Sequence, residues 1–327
     1  MSRFTIEKID RNSEKDYKKW VNFLKEANGA TIFHHPDFLS YHKSRFYEYH
    51  LGVFKGEKLF GIMPLAISIE NGEKIAKSPY GASYGGFIFQ NILTYSNSKE
   101  IIMLLKVFLR ENKIKTVIIT PSLQIYYKSF SETLNFSMLE QDFKIINSDI
   151  SSIVCLKEDD LEKRVFTSKL RNMVRKAEKM DIQTQFYSSI DDFWSLMDKT
   201  FNKHGVSPTH TKEEINYLTQ KFPNDIYFNI AYLNGTPIAA IGVFNLNEKN
   251  IMSFYLCSDE QYKYTQAMSL IIYKTILKAK EDGFDYFDFG TSSVNMVGKE
   301  NIFKFKESFG AVGSFRHTYY WKEEELE

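Results

Sequence analysis

A helix followed at once by a strand, within residues 262–290, is the feature of this sequence that most limits its fold. Apolar residues recur at helical spacing over 268–279, and Gly283 stands where a helix would end. The next residues are rich in strand formers and stop at Gly290, which predicts a strand with a loop at its carboxyl end. We expect the helix to begin within 264–267, where unpaired amides would attract an anion.

The same order of elements is predicted twice along the 327-residue chain. Each half contains helices, a three-stranded meander, a loop, a long helix and a strand, which indicates a structural duplication. The chain also exceeds the length at which a single hydrophobic core usually keeps growing. We therefore expect a mixed α/β (α+β) protein with two similar domains, formed by residues 1–148 and 149–327.

Composition limits the function classes that remain. The net charge is +1 and 43% of the residues are hydrophobic, which excludes a disordered tail and a generally basic nucleic-acid coat, so DNA is not an expected partner. Cys155 and Cys257 lie in apolar runs, and the histidines lack metal-ligand spacing, so we expect no disulfide and no metal site. No segment resembles a signal peptide or a membrane span, and we expect a cytoplasmic protein.

Four segments together resemble the Fem family of peptidoglycan-bridge acyltransferases. They are Y-G-A-S-Y-G-G at 80–86, S-K-L-R-N-M-V-R-K-A-E-K at 168–179, D-Y-F-D-F-G at 285–290 and F-K-F-K-E-S-F-G-A at 303–311. The resemblance spans nearly the whole chain. It implies two tandem GNAT-like domains, with a C-terminal strand over 314–321 that packs back on the first. It also implies transfer of an aminoacyl or acyl group to an amine of a cell-envelope acceptor.

Such a transfer requires stabilisation of the oxyanion that forms on the attacked carbonyl, but no covalent nucleophile. The sequence contains no G-x-S-x-G or H-E-x-x-H motif. By resemblance, Lys306 of the F-K-x-x-F-G pattern lies beside the acyl-transfer site, with Phe305 next to the substrate. The alternative for Lys306 is a solvated helix lysine.

Asp288 belongs to a D-F-G triplet, but the other kinase motifs are missing, so a kinase is rejected. Because Asp288 follows strand formers at a predicted cleft, two roles remain open for it. It either accepts a proton from the substrate amine or holds the amides of the next loop.

A basic stripe is predicted on the helix over 168–179. Four basic residues recur at spacings of three and four, so most of this charge lies along one side of the helix; they are Arg171, Arg175, Lys176 and Lys179. Such a stripe would bind the phosphates of a diphosphate-linked acceptor or of an aminoacyl-tRNA. The alternative is an exposed helix whose charges pair with nearby acids.

Three tyrosines are candidates for contact with the acceptor or the acyl group. Tyr80 and Tyr84 flank glycines that would admit a sugar or peptide, although such glycines equally mark a bulge or a turn. Tyr255 corresponds by resemblance to a strand whose tyrosines face the acyl site. Its alternative is an ordinary aromatic residue of a strand.

The donor is expected at the start of the long helix. Lys263, Tyr264, Thr265 and Gln266 occupy the positions where an acetyl-CoA-binding GNAT protein carries glycines that close around pyrophosphate. Their presence favours aminoacyl-tRNA as co-substrate, while a CoA thioester remains open. We expect no bound cofactor.

The expected partners are a small-molecule or lipid-linked glycan acceptor and an aminoacyl-tRNA, with peripheral membrane contact through a lipid-linked substrate. Two other functions stay open. One is an acyl-CoA-dependent N-acetyltransferase of surface-sugar biosynthesis, and the other is a catalytically silent GNAT-like binding protein.

Overall fold

A computed structural model of the chain describes residues 3–205 and 207–323, without the side chains of residues 203 and 204. These residues form two compact units. Residues 3–149 and 315–323 make the first unit, and Ile150–Ser314 make the second. The segment from 315 onward therefore belongs to the first unit.

The first part of the chain alternates short strands with four helices, among the residues described. In chain order these are β1 (Thr5–Lys8), α1 (Glu14–Glu26), α2 (Pro36–Leu39), β2 (Tyr47–Glu48), β3 (Leu51–Lys55), β4 (Lys58–Met63), β5 (Ala66–Glu70), β6 (Glu73–Ser78), β7 (Ile88–Phe89), α3 (Tyr95–Glu111), β8 (Ile114–Ile119) and α4 (Thr133–Glu140). Short 3-10 helices occupy Ile32–His34, Ser40–His42 and Gln124–Tyr126.

The remaining elements include four strands of eight or more residues before the last helix and a long final strand. They are β9 (Lys144–Cys155), α5 (Leu161–Arg164), α6 (Ser168–Glu178), β10 (Gln183–Gln185), α7 (Ile190–His204), α8 (Lys212–Lys221), β11 (Ile226–Leu233), β12 (Thr236–Asn247), β13 (Asn250–Ser258), α9 (Ala267–Glu281), β14 (Tyr286–Thr291), β15 (Ser293–Val294), β16 (Val297–Gly298), α10 (Glu300–Glu307) and β17 (Val312–Lys322). A 3-10 helix over Glu260–Thr265 precedes α9.

The first unit contains two sheets. One has the strand order β1-β3-β4-β7 and is antiparallel. In the other, β8 pairs in parallel with β6 and in antiparallel with residues 319–322, while β5 and β2 extend the sheet beyond β6. The apolar side of α3 packs on this unit's core through buried Ile101, Ile102 and Leu105. The parallel pair β6 and β8, joined through α3, forms a βαβ unit.

The strand-forming residues over 59–69 make two strands, β4 and β5. Pro64 lacks an N–H group and separates β4 from β5, which belong to different sheets. The 3-10 helix over Gln124–Tyr126 and α4 follow β8. At the start of the chain, Ser13 caps α1 by accepting a bond from Asp16 N at 3.4 Å.

The second unit is built on one sheet with the strand order β10-β11-β12-β13-β14, to which residues 151–155 of β9 add in antiparallel. β11, β12 and β13 form an antiparallel meander, whereas β13 and β14 are parallel and joined through α9. The side chains of α6 and α9 bury Leu170, Ile271 and Ile276 against one face of this sheet. The second unit thus has its own core and its own βαβ unit.

Candidate functional site

β13 and β14 separate before they end, which opens the sheet of the second unit. They pair in parallel only over residues 250–252 and 286–288. β13 then continues to Ser258 and β14 to Thr291 without further pairing to each other in the described residues. Because unpaired backbone groups seek hydrogen-bonding partners, the two diverging edges are suited to contact a substrate. The opening lies at the carboxyl ends of a parallel pair, where α/β sheets usually bind ligands.

The start of α9 lies at the same edge, because α9 connects β13 to β14. The helix begins at Ala267, the last position of the predicted range, since Lys263, Tyr264 and Thr265 belong to the preceding 3-10 helix. Gln266 adopts a left-handed conformation, with φ of 62°. The buried Thr265 hydroxyl accepts a bond from Ala267 N at 3.2 Å, which occupies the first amide of α9.

This arrangement limits the anion site that the sequence predicted. Tyr264 is 56% exposed and Lys263 is exposed, so both are accessible to a donor. Thr265 is fully buried and acts on its own backbone. The donor role of these residues stays a prediction, with Thr265 restricted to shaping the helix start.

Lys306 belongs to α10, and its side-chain ammonium lies at the carboxyl end of β14. Its Nζ donates to the carbonyl oxygens of Gly290, at 2.8 Å, and Thr291, at 2.7 Å. The residue is only 5% exposed, and burial lowers the pKa of the ammonium from 10.5 to about 8, while the charge of Asp288 opposes this shift. An ammonium has three hydrogens, so one remains for a substrate oxygen. The alternative of a solvated helix lysine is therefore wrong.

Asp288 is fully buried and holds the end of β14. Its Oδ1 accepts bonds from Ser151 Oγ at 2.7 Å and from Gly290 N at 2.6 Å. Of the two roles predicted from the sequence, holding the loop amides is the one that these bonds support. Ser151 was not singled out in the sequence, because nothing in its local pattern indicates a contact with a residue 137 positions away.

The F-K-x-x-F-G pattern has a packing basis around Lys306. Phe309 is fully buried, and its ring contacts those of Phe289 and Phe305. Gly310 has φ of 78°, and a Cβ there would lie 2.2 Å from Cγ1 of Val165. The aromatic residues and the glycine therefore fix the end of α10, which directs the Lys306 side chain toward β14. Phe305 is part of this packing as well as a candidate substrate contact.

A groove runs along α6 beside Gln266. It has a volume of about 480 Å³, and Lys169, Asn172 and Lys176 contribute polar side chains to it. The three residues follow the spacing i, i+3, i+7, so they share one face of the helix. Lys176 was predicted from the sequence. Lys169 and Asn172 were missed, although the same spacing was sufficient to find them.

The predicted basic stripe is divided by the structure. Arg171 donates from one nitrogen to the carbonyl oxygens of Glu162, at 2.7 Å, and Phe166, at 2.6 Å. The Arg171 side chain thereby ties α6 to the preceding segment, and it does not line the groove. Arg175 is exposed on the same helix and also lies outside the groove lining. Phosphate binding by these two arginines stays a prediction. The basic residues that line the groove are Lys169 and Lys176.

Tyr255 is 5% exposed and is engaged elsewhere. Its hydroxyl group lies 2.7 Å from Nδ1 of His210, and its ring contacts Phe193 of α7. Burial raises the pKa of the Tyr255 phenol above its ordinary value. These contacts favour the structural alternative, an aromatic residue that joins β13 to the helices on this face.

In the first unit, Tyr80 and Tyr84 are buried beside the glycine-rich loop. Tyr80 is 4% exposed and its hydroxyl donates to Glu48 Oε1 at 3.3 Å. Tyr84 is 1% exposed and packs edge-on against Tyr126. A Cβ on Gly81 would lie 1.7 Å from the His42 ring, so this glycine is required for packing. Burial favours the turn alternative over stacking on an acceptor.

Two kinds of feature are missing from the described residues 3–205 and 207–323. No group of three or more His, Cys, Asp or Glu side chains is placed to hold a metal ion. No helix among them is long and apolar enough to cross a membrane.

Comparison with known proteins identifies the fold. The acetyltransferase (GNAT) domain family matches residues 164–306, which lie within the second unit. The whole chain is similar to the crystal structure of FemX, with a TM-score of 0.71 and 13% identity over 94% of this chain and 96% of that one. No curated protein matches the sequence significantly.

Two further structures share the fold. The C-terminal DUF2156 domain of a putative lysylphosphatidylglycerol synthetase from Agrobacterium fabrum has a TM-score of 0.63 and 9% identity over 94% of this chain and 92% of that one. A tandem GNAT protein from the clavulanic acid biosynthesis pathway has a TM-score of 0.54 and 10% identity over 99% and 100% of the two chains. The predicted α/β class with two tandem GNAT-like domains is therefore confirmed, as is the resemblance to the Fem family at the level of the fold.

Proposed function

We propose that this chain is an N-acyltransferase that moves an aminoacyl or acyl group to an amine of a cell-envelope acceptor, in the cytoplasm. The observation that carries the proposal is the buried ammonium of Lys306 at the carboxyl end of β14, where β13 and β14 have separated. A buried charge is costly to retain, so its position beside an opening in the sheet supports a role in chemistry. The GNAT family match over 164–306 supports the reaction class.

In the proposed reaction, the acceptor amine attacks the acyl carbonyl carbon and forms a C–N bond. The carbonyl oxygen becomes an oxyanion in the tetrahedral intermediate. The C–O bond of an aminoacyl ester, or the C–S bond of a thioester, then breaks as the carbonyl re-forms. The amine proton ends on the leaving group, so the step balances without an oxidant or a reductant.

Lys306 stabilises the oxyanion in this scheme. Two of its hydrogens bind the Gly290 and Thr291 carbonyls, which fixes the direction of the third. A charged donor that is already oriented in a site of low polarity costs little reorganisation when the oxyanion forms. Asp288 acts as a positioning residue, because it holds the Gly290 amide and opposes the loss of charge from Lys306.

The groove along α6 receives the phosphates of the donor. Lys169 and Lys176 supply positive charge, and the start of α9 adjoins through Gln266. The Thr265 hydroxyl already occupies the Ala267 amide, and the glycines of a pyrophosphate loop are replaced, which favours aminoacyl-tRNA over acyl-CoA. The envelope acceptor rests on the Fem resemblance and on the name of the lysylphosphatidylglycerol synthetase that shares the fold.

A transfer assay tests the proposal. Purified protein is given aminoacyl-tRNA or acyl-CoA, each against nucleotide-linked or lipid-linked peptidoglycan precursors and against amino sugars of surface glycans. The expected result is donor-dependent product that falls sharply in Lys306→Met. The matched control is Lys304→Met on the same helix, since Lys304 is exposed and pairs with Glu300.

The donor that works separates aminoacyl transfer from the acyl-CoA alternative. Binding of an acceptor without transfer from any donor would instead identify the chain as a GNAT-like binding protein. Equal turnover by wild type and Lys306→Met would contradict the assigned role of Lys306.

A further inference from the structure

A small pocket lies at the carboxyl end of β8, within the first unit. Its volume is about 40 Å³, and apolar side chains that include Phe87, Phe89, Leu134 and Met138 line it. None of the described residues that line the pocket is charged. The pocket is therefore suited to a neutral group, since a charged ligand would lose its hydration without gaining a partner.

Carboxamide groups supply most of the polar lining. Gln124 accepts a bond from Ser131 N at 3.4 Å through Oε1, so its Nε2 hydrogens are left to donate. Asn135 donates from Nδ2 to Glu132 at 2.6 Å and keeps Oδ1 as an acceptor. Asn91 adds an exposed carboxamide to the lining. Asn28, Tyr127 and Ser131 add further polar groups to the lining, so the pocket offers hydrogen-bond donors and acceptors beside an apolar floor.

The volume of the pocket limits the size of the group that it can bind. A single water needs about 10–15 Å³ of such volume, so this pocket has room for about three or four non-hydrogen atoms. An acetamido group has four non-hydrogen atoms, with a methyl for the floor, a carbonyl oxygen that accepts and an N–H that donates. The carbonyl oxygen of an acetamido group complements the Nε2 hydrogens of Gln124, and its N–H complements Oδ1 of Asn135.

The first unit differs from the second in the way its parallel strands end. β6 and β8 remain paired up to Ser78 and Ile119, whereas β13 and β14 separate after residues 252 and 288. The first unit therefore has no comparable opening between its parallel strands, among the residues described. The first unit has instead a pocket at the end of β8, beside the residues that precede α3. This pocket suits the first unit to binding a ligand without acyl transfer.

We propose that this pocket binds a neutral acylamino group of the acceptor, such as the acetamido group of an amino sugar or the acylated nitrogen of a peptide. The inference rests on the proposed function, because it assigns part of the acceptor to the first unit. The chemistry of the two sources is shared, and the experiment distinguishes them.

The test is ligand-observed NMR on the full chain without any donor. N-acetylglucosamine is compared with glucosamine and glucose, and N-acetylalanine amide represents the peptide source. We expect a dissociation constant on the order of millimolar for an acetamido compound, with strongest saturation transfer at its methyl group. Binding of only one of the two acetamido compounds identifies the source.

Two variants link binding to the pocket. Ile92 lines the pocket and is 50% exposed, so Ile92→Trp blocks its mouth without filling the core. The control is Ile69→Trp, at a 73% exposed position of the same unit that lies outside the lining. We expect about a tenfold or greater loss of affinity in Ile92→Trp alone. Equal binding of glucose and N-acetylglucosamine, or full affinity in Ile92→Trp, would overturn the proposal.

The same measurement on Lys306→Met separates this inference from the proposed function. We expect that variant to bind acetamido compounds as the wild type does, because Lys306 belongs to the second unit. Binding without any transfer activity would count against the proposed function only. Transfer activity without acetamido binding would count against the pocket only.

Discussion

Lys306 donates to the carbonyl oxygen of Gly290 at 2.8 Å, and Gly290 in turn donates its amide to Asp288 at 2.6 Å. One glycine is therefore held by a buried cation through its oxygen and by a buried carboxylate through its nitrogen. Because Gly290 has φ of 71°, the chain turns there and leaves the carbonyl available to the lysine. The end of β14 is thus fixed by charged groups as well as by its pairing with β9.

Replacement of Lys306 by Met should reduce turnover with little change in folding. Met keeps most of the alkyl chain but removes the charge, so we expect kcat to fall about 10²- to 10³-fold, as for the loss of one oxyanion donor. Steady-state kinetics at saturating acceptor give the fall, and circular dichroism reports the fold. Lys304→Met should retain wild-type kcat. A large fall in both variants would indicate general damage to α10.

Turnover should decline as the pH rises through about 8. Burial lowers the pKa of Lys306 to about 8, so the charged donor is lost above that pH. The unfolded chain keeps the proton up to about 10.5, so the contribution of this group to the free energy of unfolding rises as the pH increases from 8 to 10.5. As the pH rises, kcat should therefore fall while this contribution rises, which a kcat–pH profile and denaturant titrations of wild type and Lys306→Met at matched pH values can measure. A flat profile would contradict a role for the charged form.

Removal of both groove lysines should weaken binding of a phosphate-rich donor. For Lys169→Ala with Lys176→Ala, we expect the slope of log affinity against log salt for tRNA to become shallower by about 1.5. Filter binding across a salt series measures this slope. The control is Lys163→Ala with Lys212→Ala, since both lysines lie outside the groove lining and pair with aspartates. An equal change of slope in both double variants would indicate that net charge alone, and not a phosphate site in the groove, affects tRNA binding.

Alanine at Gly310 should destabilise the second unit. The position has φ of 78°, and the new Cβ would lie 2.7 Å from the Val165 carbonyl oxygen. We expect a loss of at least about 2 kcal/mol in the free energy of unfolding, from strain and overpacking together. Gly283→Ala is the matched control, with φ of 86° and no atom within 4 Å, and it should cost about 1 kcal/mol from the left-handed backbone alone. Denaturant unfolding of both variants isolates the cost of the contact with Val165.

His34 should make the first unit less stable in acid. Burial lowers its pKa from 6.5 to about 4, so between these values the unfolded chain binds a proton that the folded chain does not. Stability therefore falls as the pH drops from 6.5 toward 4, by on the order of 3 kcal/mol in total. His34→Gln should flatten this part of the profile of unfolding free energy against pH. His317→Gln, at a less buried ring of the same unit, should flatten it less.

The fold could be predicted largely from periodicity, because the apolar spacing of α3, α6 and α9 survives in the structure. Periodicity does not locate the exact ends of these helices, because local hydrogen bonds decide them. Thr265 binds the Ala267 amide with its side chain, and α9 begins at Ala267, the last position of the predicted range.

The site was predicted in part, for a physical reason. Lys306 belongs to a contiguous pattern whose aromatic residues pack around it, so the pattern and the position are linked. Ser151 reaches Asp288 only because β9 lies beside β14, a pairing across more than 130 residues. Arg171 looked like a phosphate ligand because spacing reports the side of a helix, but not the carbonyl groups that lie next to it.

The pairing of residues 319–322 with β8 has a consequence for how a newly made chain folds. A ribosome releases these residues only after it has made Ile150–Ser314, the whole of the second unit. The second unit can then complete its sheet while β8 still lacks one neighbour and exposes an unpaired edge, which is prone to association with other chains. The first unit, although it is made first, is therefore the one that we expect to finish folding last, against the usual order of synthesis.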